Sequence, residues 1–276
     1  ASSWIGEYRG SAGPIALLAS LRHENNSDFD DASTWRISAA WRPNEGAAKL
    51  RAAIGTGVKN PTFTERYGFF RDFVGNAALQ PEKSRGFEIG ADVEMLDGAL
   101  QLSATWFDET LEGEINGFVG VPDTTLFTAA NETGTSERQG IEIEGSWQPN
   151  PRLRFRGSVT WLDANELDPS TGARVTEIRR AESIASVGFN WALAESTSVD
   201  VSIDHNGEQD DLFFPPTPPF RERVVLDDFT LVTITAQHRV SKSWTVFGRV
   251  ENLLDESSED VFGSSAPGRA RYAGIR

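Results

Sequence analysis

The sequence predicts an all-β chain, an antiparallel up-and-down meander of the kind that closes into a transmembrane barrel, and three observations predict it. Apolar and polar residues alternate with a period of two over segments of about 9 to 12 residues from end to end, while helix-period patterns are nearly absent. Short turns alternate with long polar connections, which in a meander puts all the elaboration at one end of the sheet. Tryptophan marks the ends of apolar rows rather than their middles, at Trp35, Trp41, Trp106, Trp147, Trp161, Trp191 and Trp244. A soluble sandwich is the default home of alternating strands. Long strands, sorted loops and Trp at row ends together favour lipid on the apolar side and water on the other.

In chain order, strands at 4–10 and 14–23 flank a turn over Gly10 to Gly13, and the polar stretch 24–32 leads to a strand at 33–42. There Trp35, Ile37, Ala39 and Trp41 oppose Thr34, Arg36, Ser38 and Arg42. The two tryptophans stand roughly 20 Å apart at about 3.3 Å per residue, close to the apolar band of an outer-membrane barrel, about 25 Å tall. A turn around Pro43 to Gly46 leads to 48–58, with Leu50, Ala52 and Ile54 on one side, and then to the long segment 59–84. Strands 85–96 and 99–115 meet at Asp97-Gly98, a tight-turn dipeptide, and the second sets Leu100, Leu102, Ala104 and Trp106 against Gln101, Ser103 and Thr105. After 116–136, strands 137–148 and 152–163 join over Pro149 to Pro151, and Leu153, Phe155, Val159 and Trp161 oppose Arg152, Arg154 and Arg156. After 164–180, strands 181–192 and 196–206 join at Ala194-Glu195. After 207–225, strands 226–239 and 243–252 join at Ser241-Lys242, and 253–268 leads to a final strand at 269–276. The chain thus reads as thirteen strands in one domain over 1–276.

Composition excludes several functions. The 26 Lys+Arg against 41 Asp+Glu, a net charge of −15, disfavour nucleic acid, because phosphate contacts need clustered Lys and Arg. Cysteine is absent, which removes disulfides, thiolate metal sites and a Cys nucleophile. Three scattered histidines, His23, His205 and His238, make no His-based metal site. No nucleophile elbow occurs and the carboxylates are evenly spread, so no enzyme, cofactor or metal centre is expected. Asp28, Asp30 and Asp31 could hold calcium through hard oxygen ligands, but they lack the spacing of a calcium loop and read first as a plain acidic surface. No apolar run approaches the roughly 18 residues of a membrane helix. The opening ASSWIGEYRG lacks a basic region followed by an apolar run, so the sequence is expected to be a mature or internal piece.

Several motifs are more specific. RAAIGTGVKNPTFTERYG at 51–68, then Asn76 and LQPEKSRGFEIG at 79–90, resemble the mid-barrel signature of TonB-dependent outer-membrane receptors. RQGIEIEGSW at 138–147, FRGSVTWLDA at 155–164 and the tail VENLLDESSEDVFGSSAPGRARYAGIR resemble the same family in type and order. The resemblance implies a 22-stranded barrel around a plug, of which these would be the last thirteen strands, without the plug or the energy-coupling box. It also implies import of a scarce nutrient, a ferric siderophore or a cobalamin-type metal complex, driven through TonB from a place in the bacterial outer membrane among lipid and lipopolysaccharide. A passive porin-type channel and a soluble β-rich binding module are the alternative readings.

Candidate contact residues fall on two loops that combine aromatics with charge. The first carries Arg66, Tyr67, Phe69, Phe70, Arg71 and Phe73, the second Phe213, Phe214, Phe220, Arg221 and Arg223 around PPTPPF. Exposed aromatics suit a planar or ring-bearing ligand, and Arg pairs with carboxylate or phosphate; the same side chains could instead pack loop against loop. Lys59, Glu82, Lys83 and Glu88 are candidates for facing the lumen and plug, or form a solvated charged face. Arg179 and Arg180 would join that group or anchor a loop near anionic headgroups. Gly55, Gly57 and Pro61 are expected to let a strand leave the wall, and Asn252 and Asp255 to cap a strand end.

Overall fold

The computed structural model describes residues 2–43, 46–68, 70–168, 171–219 and 221–276, with all their side chains except that of Phe118. In chain order the elements are β1 (Ser2–Ala12), β2 (Ile15–Asn25), β3 (Ala32–Trp41), β4 (Ala48–Lys59), α1 (Phe63–Tyr67), β5 (Glu82–Met95), β6 (Leu100–Glu112), β7 (Ile115–Gly120), β8 (Phe127–Asn131), β9 (Thr135–Asn150), β10 (Leu153–Leu167) and β11 (Arg174–Thr176). There follow β12 (Ser183–Ala194), β13 (Thr197–Asn206), β14 (Gln209–Phe213), β15 (Glu222–Leu226), β16 (Phe229–Arg239), β17 (Thr245–Glu251), β18 (Glu259–Val261), β19 (Ser264–Ser265) and β20 (Ala270–Ile275). The main sheet runs β1-β2-β3-β4-β5-β6-β9-β10-β12-β13-β16-β17-β20, with β11 added beside β10. Those thirteen strands are the thirteen expected, each neighbouring the next in sequence. The long connections are not irregular, as expected, but carry their own hairpins, β7–β8, β14–β15 and β18–β19.

Two compact units divide the chain, and β5, β6, β9 and β10 each contribute to both. In the unit built from residues 1–90, 106–139 and 164–176, eleven residues of β1 pair with β2 from Ser2↔Asn25 to Ala12↔Ile15. Leu17, Ala19 and Leu21 then stand beside Ala39, Ile37 and Trp35 on one face, and Ser20 beside Arg36 on the other. β3 and β4 pair only from Trp41↔Leu50 to Arg36↔Gly55. Beyond that point the Trp35 amide donates to Thr56 Oγ1 at 3.2 Å instead of to a backbone carbonyl. A Cβ on Gly55 would sit 2.8 Å from the Trp35 carbonyl oxygen, and one on Gly57 2.6 Å from Ser84 Oγ. The glycines therefore do not end the strand, which continues to Lys59; they admit close neighbours while β4 parts from β3.

In the second unit, residues 91–105, 140–163 and 177–276, pairing aligns side chains into long rungs. Phe155, Phe189, Val201, Ile234 and Val250 form an apolar rung across β10, β12, β13, β16 and β17. One residue along, Arg154, Asn190, Asp200, Thr235 and Arg249 form a polar one. The tight β5–β6 turn needs left-handed backbone at Leu96, Asp97 and Gly98, with φ of 54°, 54° and 85°.

Neither unit packs its apolar strand face into a dry core. Ile37 is 50% exposed, Trp41 44%, Leu50 46%, Trp161 51% and Trp191 44%. Among the described residues, the buried apolar cluster of Phe73, Leu79 and Ala129, with Ile115 against it, lies beneath two long connections rather than between strands. Water makes such a face costly, at about 25 cal/mol per Å² of apolar surface; hydrocarbon does not.

Acid is gathered in four of the six long connections, while 60–81 and 168–182 are balanced at two acidic against two basic and three against three. In the first unit, connections 26–31 and 113–134 hold three acidic residues each and no basic one. In the second, 207–228 has six acidic residues against two basic, and 252–269 four against one. The six short connections are balanced, three acidic against three basic.

Candidate functional site

The loop between β4 and β5 is a built structure. Thr62 and Glu65 form a capping box, the Thr62 side chain accepting from the Glu65 amide and the Glu65 carboxylate from the Thr62 amide, which stabilises a five-residue helix too short to form alone. Phe63 and Tyr67, four residues apart on α1, meet at a tilt with 4.8 Å between ring centroids and are 77% and 54% exposed. Phe70 is 45% exposed and lies 5.4 Å from Phe73, which is buried in the cluster. Arg71 is exposed, and Phe69 lies outside the described residues.

Arg66 faces inward. Its side chain is 11% exposed, 3.9 Å from Asp28, with its guanidinium 4.5 Å from the Phe29 ring centroid and donating to the Ala77 carbonyl at 3.2 Å. The contacts tie this loop to connection 26–31.

The Leu79-Gln80-Pro81-Glu82 stretch docks the loop onto the β7–β8 hairpin. Leu79 fills the buried cluster, and the Gln80 amide donates to Asn131 Oδ1 while Asn131 Nδ2 donates back to the Gln80 carbonyl, both at 2.8 Å. Asn76 Nδ2 donates to the Ala129 carbonyl at 2.9 Å. Glu82, 6% exposed, accepts Lys59 Nζ at 3.0 Å on both oxygens and the Ile115 amide at 3.0 Å. Glu88 pairs with Arg36 at 2.7 Å. Alternation within β5 puts Lys83 on the face opposite Glu82 and Glu88, so the expected grouping of the three on one wall surface is corrected: neighbours in a strand point apart.

In the second unit the aromatic loop is the β14–β15 hairpin, its five registered pairs running from Gln209↔Leu226 to Phe213↔Glu222. The strands stop at the proline-rich tip because Pro supplies no amide donor. Asp211, fully buried, holds it in place. It accepts from Arg179 Nε at 2.8 Å, the Leu212 amide at 2.8 Å and the Phe262 amide at 2.7 Å, linking three long connections. Burial raises its proton affinity, but the donors at Phe262, Leu212 and Arg179 outweigh burial and hold the carboxyl below its ordinary value of 3.8. Phe213 is half-buried against Phe262 at 5.0 Å, Phe214 is 61% exposed, and Arg223 pairs with Asp210 at 2.8 Å. Arg180 pairs with Glu177 at 3.0 Å; Arg221 is exposed; Phe220 lies outside the described residues. Asn252 caps as expected, exchanging hydrogen bonds at 2.8 Å with the Glu256 amide and carbonyl.

Each unit thus presents its own stiffened aromatic surface, Phe63, Tyr67 and Phe70 in one and Phe214 in the other. Phe63 escaped the sequence reading, although Thr62-x-x-Glu65 is a capping signal and the Tyr67 spacing is one helical turn. Asp211 gave no signal, since Asp210 beside it reads the same. Among the described residues no group of three or more His, Asp or Glu side chains is placed to hold a metal ion.

The structure resembles solved outer-membrane receptors. It superimposes on the siderophore receptor PirA of Acinetobacter baumannii with a TM-score of 0.78 at 16% identity, over 99% of this chain and 45% of that one. A variant of the ferric enterobactin receptor PfeA of Pseudomonas aeruginosa gives 0.76 at 14%, covering 99% and 44%, and the iron transporter FrpB of Neisseria meningitidis gives 0.75 at 13%, covering 99% and 44%. The chain spans less than half the length of each. Two of the three are receptors and the third an iron transporter. The profile of the TonB dependent receptor-like β-barrel family matches residues 3–253, and with the meander, the exposed apolar faces and the aromatic long loops, it makes this chain a member of the TonB-dependent receptor β-barrel family.

Proposed function

We propose that the chain is the barrel portion of an outer-membrane active-transport receptor that captures a scarce metal complex, a ferric siderophore or a cobalamin-type chelate. It hands the complex inward when a plug segment, pulled by TonB, rearranges. The barrel strands sit among outer-membrane lipid and lipopolysaccharide. One observation carries this reading: long connections are docked, hydrogen-bonded structures that hold aromatic rings exposed, whereas short connections are bare turns. Rigid rings lose little entropy on binding and offer broad contact to a ring-bearing chelate. Two iron-siderophore receptors and an iron transporter among the matched structures support the substrate class.

The test is tryptophan-fluorescence titration of the full-length, detergent-solubilised receptor with a panel of ferric siderophores and cobalamin. Saturable binding of one member, weakened about tenfold or more by Phe63→Ala with Tyr67→Ala or by Phe214→Ala, is the expected result. Absence of binding together with steady conductance in a planar bilayer would overturn the receptor in favour of the porin. Arg66 is a poor probe, because its replacement would unseat the loop itself.

A further inference from the structure

Three connections of the first unit form one docked body. Arg66 ties the loop between β4 and β5 to connection 26–31, and the Gln80–Asn131 exchange ties it to the β7–β8 hairpin. The Phe127 amide adds a bond to the Asp72 carbonyl at 2.9 Å, and the Val74 amide one to the Phe127 carbonyl at 2.8 Å. This body exposes the rings of Phe63, Tyr67, Phe70 and Phe127. It also carries eight acidic residues against two basic.

The two signs are not equally open to a ligand. Of the arginines, Arg66 is turned inward and Arg71 alone stands exposed. Five of the carboxylates are engaged, Asp28 by Arg66, Asp31 by the Asn26 amide, Glu65 in the α1 cap, Glu114 by Ser136 and Glu132 by Asn116. Asp30, Asp72 and Asp123, one from each connection, are exposed, with no side-chain partner among the described residues. Asp72 lies two residues from Phe70 and holds the Phe127 amide, which sets its backbone between two exposed rings. Rings of this body already bed one cation, since the Arg66 guanidinium lies 4.5 Å from the Phe29 centroid and 5.3 Å from that of Tyr67.

An ammonium group is drawn to both features, to ring faces through their quadrupole and to carboxylates through charge-assisted hydrogen bonds. A trianionic ferric tris-catecholate would meet one exposed cation among free carboxylates. A ferric tris-hydroxamate has an uncharged core, because three singly charged hydroxamates balance iron(III), and its methylene linkers suit the ring faces.

We infer that this surface selects a ferric hydroxamate chelate bearing a protonated amine and turns away polyanionic chelates. The inference rests on the receptor reading proposed above and deepens it by naming the ligand's charge. The test titrates the full-length, detergent-solubilised receptor, by tryptophan fluorescence, with one linear ferric tris-hydroxamate in three forms: terminal amine free, acetylated, or succinylated to a carboxylate. Affinity should fall in that order, by about fivefold at each step, and the differences should narrow in high salt. Asp30→Asn with Asp72→Asn and Asp123→Asn should bring the amine form within about twofold of the acetylated one and leave the acetylated form unchanged. Asn tolerates the left-handed backbone of Asp123, at φ 60°, and the heat-dependent gel mobility of a folded barrel checks that the variant is intact. The comparison of the three forms on the unaltered receptor stands whether or not that variant folds. Equal affinity for the three forms, tighter binding of the succinylated one, no effect of the Asn substitutions in a folded receptor, or capture of a tris-catecholate or cobalamin in place of the hydroxamate would overturn the inference and leave the receptor standing. Absence of binding by every chelate, with steady conductance in a planar bilayer, would overturn the receptor reading and the inference with it.

Discussion

Asp211 shows how one carboxylate can govern a loop surface. Three donors from three connections converge on it, and a neutral side chain there would leave the Phe262 and Leu212 amides and the Arg179 guanidinium unmatched. Asp211→Ala should therefore cost about 3 kcal/mol in local stability, read as faster hydrogen exchange at the Phe262 amide and easier cleavage of the β14–β15 hairpin by trypsin at Arg221 or Arg223. The pH dependence has a definite sign. Because folding lowers the proton affinity of this group, its contribution is complete above the ordinary value of 3.8 and fades as pH falls through the lower folded value. Protection of the hairpin amides, taken relative to their intrinsic exchange rates at each pH, should be indifferent to pH between about 5 and 7 and fall only in stronger acid; a loss of protection near pH 6 would point to another group. Arg66 carries the complementary lesson: a residue type chosen from sequence for its reach toward anions is spent inside the protein on Phe29 and Ala77.

Among the elements, the loop between β4 and β5 and the β7–β8 hairpin behave as one body. The reciprocal Gln80–Asn131 pair, the Asn76 bond and the small cluster around Leu79 leave little of the loop free to move alone. Asn131→Ala removes three donor and acceptor contacts at once, including that to the Gly113 carbonyl. It should cost about 1 to 3 kcal/mol, with amides of both segments gaining exchange together; exchange confined to one would show that they are independent. Strand positions were legible because a half-lipid, half-water wall imposes a two-residue period on every strand. The hairpins were not, because β14 reads Gln-Asp-Asp-Leu-Phe and alternates nothing: its partners are other loops, so no single solvent face writes a pattern into it. Lys83 is the opposite case, since the two-residue period runs through Glu82, Lys83 and Glu88 and by itself sets Lys83 on the other face.

For the whole molecule, two features dominate: exposed apolar area, and an uneven spread of charge over the connections. The first makes hydrocarbon the natural solvent for the strand faces. The second accounts for most of the chain's acid excess, with acid gathered in four of the six long connections and balance kept in the other two and in the short ones. An acidic surface of this kind gathers a counterion atmosphere, so a ligand's own charge decides whether added salt helps or hinders its arrival. Association rates of a cationic chelate should fall several-fold between about 10 and 150 mM salt, as the screening length shrinks from roughly 30 to 8 Å, and those of a polyanionic chelate should rise. Stopped-flow fluorescence on the full-length receptor distinguishes the two, and salt-independent rates for both would show that the loops exert no net field on the approaching ligand. In fresh water, with few ions to blunt that field, the loop surfaces would act as a charge filter placed ahead of any contact with Phe63, Tyr67 or Phe214.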